Sequence, residues 1–141
     1  MVFLSLMSQR GSAKGLVDGK LAPLPSKPNC VSSEEGTDPS RKVEPLKADK
    51  TAIKAAIAET GGKLKTETDG YMAAIYTSGI MRFVDDVEFR KDGDVWQVRS
   101  ASRVGYSDMG VNRKRVAALP VFQLTVLYIN LFSSSWQHPA S

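Results

Sequence analysis

The chain has 141 residues, 42% of them hydrophobic and 24% charged, which is typical of one compact domain. Its net charge of +4 is small, and acidic residues interrupt the basic ones along most of the sequence. Because a nucleic-acid binder needs a contiguous basic face, this charge pattern predicts no nucleic-acid partner.

The first 47 residues predict little regular structure. Residues 2–7 (VFLSLM) are apolar, but the run is too short for a signal-peptide core or a membrane span. We therefore expect no transmembrane span, and residues 1–15 are predicted to be disordered or the remnant of a leader. Residues 8–47 hold five of the seven prolines, which favours an irregular N-terminal strap, ordered over residues 16–31.

An amphipathic helix is predicted to follow, capped by Asp49 and ended by the glycines at 61 and 62. Ile53, Ala56 and Ile57 fall on one face of it, at the spacing of a helix that covers a core.

Four strand-like runs come next, at residues 63–68, 71–78, 81–90 and 95–104. Asp-Gly pairs at 69–70 and 92–93 suit tight hairpin turns, and Ser78-Gly79 is expected to turn the middle pair. Alternation places Met81, Phe83, Val87 and Phe89 on one side of the third run, and Trp96 and Val98 on one side of the fourth. The prediction is a four-stranded antiparallel meander with its apolar side under the helix.

A second helix is predicted at residues 111–119, started by Asp108 or Asn112 and stopped by Pro120. The expected class is α+β, in the order α-β-β-β-β-α, with a single domain at residues 16–119. Residues 120–141 form an atypical apolar tail. The run at 121–132 (VFQLTVLYINLF) is either an extra strand, a partner-binding segment or a translated frame foreign to the domain.

Three stretches carry a family resemblance: residues 21–33 (LAPLPSKPNCVSS), 82–89 (RFVDDVEF) and 98–113 (VRSASRVGYSDMGVNR). They resemble domain-of-unknown-function family 1499 over about residues 16–119. The resemblance implies a bacterial or organellar protein, in some members with an export signal or lipid anchor, and it implies no reaction. Leu24 stands where many members look as if they carry a second cysteine, so the resemblance supports no paired-thiol role for Cys30.

Asp85 is the one weak candidate for a catalytic residue. Alternation places its carboxylate on the apolar side, where it needs a partner. The candidates are the hydroxyls of Ser100 and Ser102 or the guanidinium of Arg113. A structural hydrogen bond is the favoured interpretation, and a bulge at residues 85–86 would reverse the direction of the side chain.

Arg99 and Arg103 share the opposite side of the fourth run, facing Asp86, Glu88 or Arg90 across the hairpin. They predict either ion pairs on a solvated strand face or an anion site completed by loop amides at the last helix. The candidate ligand-binding residues are Arg99, Ser100, Arg103, Tyr106, Asp108, Asn112 and Arg113.

We expect no metal site and no cofactor. The acidic run at residues 85–88 lacks a supporting histidine, and Cys30 has no histidine nearby, since the single histidine is His138. The favoured function is a non-catalytic module that binds an anionic small molecule or a protein segment. The alternative is an enzyme that uses Asp85 with Arg113 or Tyr106. A cytoplasmic location is favoured, and an exported or organellar one stays open if a leader precedes the chain.

Overall fold

A computed structural model describes residues 2–134, without the side chains of residues 121–130, 133 and 134. The elements in chain order are α1 (Val2–Arg10), β1 (Leu16–Val17), β2 (Lys20–Leu21), β3 (Cys30–Ser32), a 3₁₀ helix (Pro39–Arg41), α2 (Lys50–Glu59), β4 (Lys63–Glu67), β5 (Tyr71–Thr77), β6 (Val84–Asp92), β7 (Val95–Ser102) and α3 (Val111–Ser134).

The α+β class is confirmed, but the sheet has five strands, in the order β3-β7-β6-β5-β4, and not four. All neighbours pair antiparallel, and β1 and β2 form a separate two-stranded hairpin. The additional strand is β3, whose Val31 lies opposite Ser100 of β7. Its three residues are all buried, so they show no alternation that would predict a strand.

The strand β6 begins at Val84, three residues later than predicted. The backbone before it forms a turn, in which Arg82 has a left-handed φ of 55° and donates its N–H to the Ser78 carbonyl over 3.2 Å. Met81 and Phe83 consequently belong to the β5–β6 connection and not to the apolar strand face on which they were predicted.

One face of the sheet carries the hydrophobic core, as predicted. Val87, Phe89, Trp96 and Val98 are buried there among side chains of α2 and α3, including Ile53, Ile57, Val116 and Leu119. The predicted cap of α2 is confirmed, because the Asp49 carboxylate accepts the Ala52 N–H over 2.7 Å.

The opposite face carries charged residues and is covered by α1, the β1–β2 hairpin and the chain between them. Glu88 is 0% and Arg99 3% exposed on this face. The expectation of a solvated strand face was therefore wrong here. Period-two alternation separates the two faces of a strand, but it does not tell whether a later layer covers the polar one.

The sequence predicted that α3 would end before Pro120. The helix instead continues to Ser134. A proline removes one backbone hydrogen bond from a helix, and this weakens or bends the helix without always ending it. Among the described residues, no helix is both long and apolar enough to cross a membrane. Residues 2–10, which lie before the predicted start of the domain, form α1. The domain limits at residues 16 and 119 stay predictions.

Candidate functional site

The predicted site residues lie in separate places in the fold. Arg99 and Arg103 line the charged face, whereas Ser100 and Asn112 lie on the opposite face of the sheet, beside α3. The composite anion site expected from both groups is thus not assembled.

Arg99 lies at the centre of the charged face and is fully engaged with the protein around it. Its Nη1 donates to Glu88 Oε2 over 3.1 Å, and its Nε donates to the Ala22 carbonyl over 3.0 Å. The second oxygen of Glu88 accepts the Gly15 N–H and the Tyr71 hydroxyl, each over 2.7 Å. The expected cross-strand pair between Arg99 and Glu88 is present, and the N-terminal segment covers it through Gly15 and Ala22.

Arg103 forms the second ion pair of this face. Its Nε and Nη2 donate to the two oxygens of Asp86, each over 2.8 Å, in a bidentate geometry. Hydrogen bonding to Asp86 raises the pKa of Arg103 above its ordinary value. Nη1 donates to the Ser8 carbonyl over 3.0 Å, and this contact holds α1 against the sheet.

Beside these two arginines lies a pocket of about 520 Å³, here called the strap pocket. Lys14 and Lys27 also line it, and within residues 2–134 neither ammonium group forms an ion pair. The carboxylate on the lining, Asp86, is already neutralised by Arg103. The pocket therefore has an excess of positive charge.

Asn29 contributes a buried amide group to the lining of the strap pocket. Its Nδ2 donates to the carbonyls of Val104 and Gly105 over 3.3 and 3.0 Å. Its Oδ1 is buried and accepts no hydrogen bond within the described part of the chain. Buried polar atoms are nearly always paired, so this unpaired acceptor is an exception among the buried groups of the described residues.

Asn112 occupies the opposite side of the sheet as the centre of a buried polar cluster. It is 0% exposed, and its Nδ2 donates to Asn29 O, Ser102 Oγ and Asp108 Oδ2 over 3.1, 3.0 and 2.7 Å. Its Oδ1 accepts hydrogen bonds from the Ser100 hydroxyl and from Arg115 Nη1. These contacts join β3, β7 and the start of α3, so the residue is structural.

Asp108 occupies the helix start that was expected to receive an anion. Its carboxylate accepts the N–H groups of Gly110 and Asn112 over 2.9 and 2.8 Å. Burial acts to raise the pKa of Asp108, but these hydrogen bonds outweigh it and lower the pKa. The protein itself thus supplies the anion at this helix terminus.

Asp85 has a partner, as predicted, but the partner is Arg115. Arg115 Nη2 donates to Asp85 Oδ2 over 2.7 Å, and its guanidinium lies 4.5 Å from the ring centroid of Tyr76. An open pocket of about 650 Å³ lies beside them, lined also by Thr60 and Lys114. Arg115 was missed because it lies four residues beyond the start of α3, and only the packing of that helix directs it toward β6.

The last two predicted residues contribute to neither pocket. Tyr106 is 71% exposed in the loop between β7 and α3. Arg113 donates to the carbonyls of Ser40 and Lys42 over 2.7 and 3.0 Å, so it ties α3 to the segment around the 3₁₀ helix. His138 lies outside the described residues.

The fold and these contacts define the class of protein: a small α+β domain with an antiparallel sheet covered on both faces and buried ion pairs beneath an N-terminal strap. The family model for a protein of unknown function (DUF1499) matches residues 20–120. This match covers more than half of the chain, so the chain belongs to that family. No curated protein and no solved structure matches it. Among residues 2–134, no group of three potential metal ligands is present.

Proposed function

We propose that this domain is a non-catalytic binding module whose strap pocket receives an anionic small molecule. The observation that carries the proposal is the excess of positive charge in this pocket: Lys14 and Lys27 line it without an ion pair among residues 2–134, while its carboxylate, Asp86, is neutralised by Arg103. Lysine ammonium groups bind carboxylates and phosphates through charge-assisted hydrogen bonds, and Arg99 and Arg103 neutralise the nearby carboxylates of Glu88 and Asp86 that would otherwise repel an anion.

Two further properties of the strap pocket support a small ligand. Its volume of about 520 Å³ lies within the range of small-molecule sites. A ligand that carries a hydroxyl or N–H donor beside its anionic group would pair the buried acceptor Asn29 Oδ1 once the lining shifts to admit it. Hydroxycarboxylates and phosphorylated polyols have this chemistry.

The alternative, an enzyme that uses Asp85, has weaker support. Neither of the partners considered for it, Arg113 and Tyr106, lies with Asp85 in the pocket beside α3. One oxygen of Asp85 is held by Arg115, whose guanidinium also bonds Asn112 and lies over Tyr76. This arrangement is that of a structural ion pair.

A thermal-shift experiment tests the proposal, with inorganic phosphate, citrate and glycerol phosphate as probes against sodium chloride of the same ionic strength. A ligand at a hundred times its Kd stabilises a protein by about 2.7 kcal/mol, so the melting temperature should rise by several degrees. The double variant Lys14→Met, Lys27→Met should lose this rise, because it removes the unpaired charges and leaves the ion pairs intact.

The matched control is the double variant Lys63→Met, Lys65→Met, which removes two exposed lysines from β4, the strand farthest from β3 in the sheet. It should keep the full response. A shift no larger than that of sodium chloride for every probe, or an equal loss in both double variants, would refute a specific anion site in the strap pocket.

A further inference from the structure

Helix α1 presents its apolar side to solvent and its serines to the protein. Ser8 is 0% exposed, and its hydroxyl accepts the Val84 N–H over 2.7 Å. Phe3 and Met7, by contrast, are 71% and 53% exposed, and Val2 and Leu6 are 76% and 51% exposed. A helix in water normally buries its apolar side, so this inverted orientation indicates that another apolar phase covers α1.

Exposed apolar side chains of two loops lie at the same end of the sheet. Ile80 is 94% exposed in the β5–β6 connection, and Met109 is 90% exposed in the β7–α3 loop, which also carries Tyr106. The strands that precede these loops, β5 and β7, end on either side of the start of β6, because Thr77 pairs with Val84 and Asp85 with Ser102. The contact of Ser8 with Val84 places α1 there too.

We call this surface, formed by residues 2–7, Ile80, Tyr106 and Met109, the apolar end. Basic side chains accompany it: Arg10, Arg82 and Lys114 are exposed and form no ion pair within the described part of the chain. Of the carboxylates at this end, Asp85 pairs with Arg115 and Asp86 with Arg103, whereas Asp108 is held by the N–H groups of Gly110 and Asn112. Three basic side chains without an ion pair thus outnumber the one carboxylate without one among the described residues of this surface, and the apolar end carries a net positive charge.

We infer that the apolar end docks on the surface of a bilayer that contains anionic lipids. In this arrangement α1 lies in the interface with its apolar side toward the acyl chains, and Ile80 and Met109 enter beside it. The basic side chains contact the headgroups. Apolar residues inserted among basic ones are the combination by which peripheral proteins bind anionic membranes. Tyr106 takes the interfacial position that amphipathic aromatic rings favour.

Co-sedimentation of the full chain with vesicles tests this inference. One set contains phosphatidylcholine alone, and the other contains equal amounts of phosphatidylcholine and phosphatidylglycerol. We expect binding at least about tenfold tighter to the anionic vesicles, weakened by added salt. Phe3→Glu and Ile80→Glu should each weaken it by about tenfold or more, because each places a charge in the apolar layer.

The matched control is Val17→Glu, which changes a 48% exposed apolar residue of the β1–β2 hairpin and should leave vesicle binding unchanged. The double variant Arg10→Gln, Arg82→Gln should reduce the preference for anionic vesicles while circular dichroism shows an intact fold. Failure to sediment with either vesicle, or equal binding to both, would overturn the inference. So would a concentration-dependent dimer that Phe3→Glu dissociates, because a second copy would then cover the apolar end.

Discussion

Arg99 and Glu88 lie directly opposite each other in β7 and β6 and form an ion pair, 3.1 Å long, from which solvent is almost fully excluded. The N-terminal segment contributes the Gly15 N–H and the Ala22 carbonyl to the same cluster. The pair therefore fastens the strap to the sheet as well as joining two strands.

Removing one member of this pair should be strongly destabilising. We expect Arg99→Met to lower the free energy of unfolding by about 3–5 kcal/mol, because it leaves the Glu88 carboxylate buried without its counter-ion. Adding Glu88→Gln should restore part of the loss, since a neutral amide oxygen still accepts from Gly15 and Tyr71. Urea unfolding measures both. A double variant that is as unstable as the sum of its singles would contradict this account.

Asn112 should be the least replaceable polar residue of α3. Asn112→Ala leaves the buried groups of Ser100, Ser102 and Asn29 short of partners, at a cost of about 3 kcal/mol. Lys114→Ala, an exposed change on the same helix, should cost less than about 0.5 kcal/mol. Equal melting temperatures for the two variants would show that the cluster does not hold α3 in place.

Glu34 should make stability depend on pH. Burial acts to raise its pKa, but hydrogen bonds from Arg90 and the Leu21 N–H outweigh burial and hold the pKa below the ordinary 4.5. Between the folded and ordinary values the unfolded chain binds more protons, so the stabilisation is complete above 4.5 and is lost as the pH falls through the folded value.

Urea unfolding of the wild type and Glu34→Gln between about pH 7 and about pH 3 checks this prediction. The stability difference between the two proteins should shrink toward the acidic end. Glu35→Gln, a change at the exposed neighbouring residue, serves as the control and should follow the wild type at every pH. A pH-independent difference for Glu34→Gln would contradict the lowered pKa.

The Asp85–Arg115 ion pair should have a larger coupling energy than an ion pair that is exposed to solvent. Its side chains are 13% and 12% exposed, whereas those of the Lys54–Glu67 pair are 42% and 34% exposed. Double-mutant cycles with alanine should give a coupling energy of about 1 kcal/mol or more for the first pair and less than about 0.5 kcal/mol for the second. Equal values would mean that burial does not strengthen the Asp85 contact.

The proposed domain limit near residue 119 is testable by truncation. Val116 and Leu119 are the side chains of α3 that belong to the described core. We therefore expect a chain ending at residue 120 to fold with its free energy of unfolding within about 1 kcal/mol of the full chain. A truncated chain without a cooperative transition would instead make residues 121–141 part of the folding unit.

The core elements were predictable because their signals are local. Asp49 caps α2, and alternation places Val87 and Phe89 toward the helices. The β6–β7 turn is also close to its predicted place, but it consists of Gly93 and Asp94, because Asp92 still pairs with Val95. Each of these signals depends on residues at most a few positions apart. The same alternation placed Asp85 on the core side and required a partner for it, and a partner is present.

The identity of that partner required the tertiary structure. Arg115 reaches Asp85 of β6 only because α3 packs against the neighbouring strand β7, and no local pattern in the sequence specifies that geometry. The pairing of β3 with β7 is likewise a contact between residues about seventy positions apart.

The sequence by itself determined the two faces of the sheet: Arg99 and Glu88 had to lie opposite the side that carries Val98 and Phe89. Only the tertiary structure decided that the charged face is also covered, converting a pair expected in solvent into a buried one. The physical reason is that alternation records which way a side chain points, whereas burial depends on what the rest of the chain places over it. Here that cover is the N-terminal segment, whose irregular sequence gives no periodic signal of where it docks.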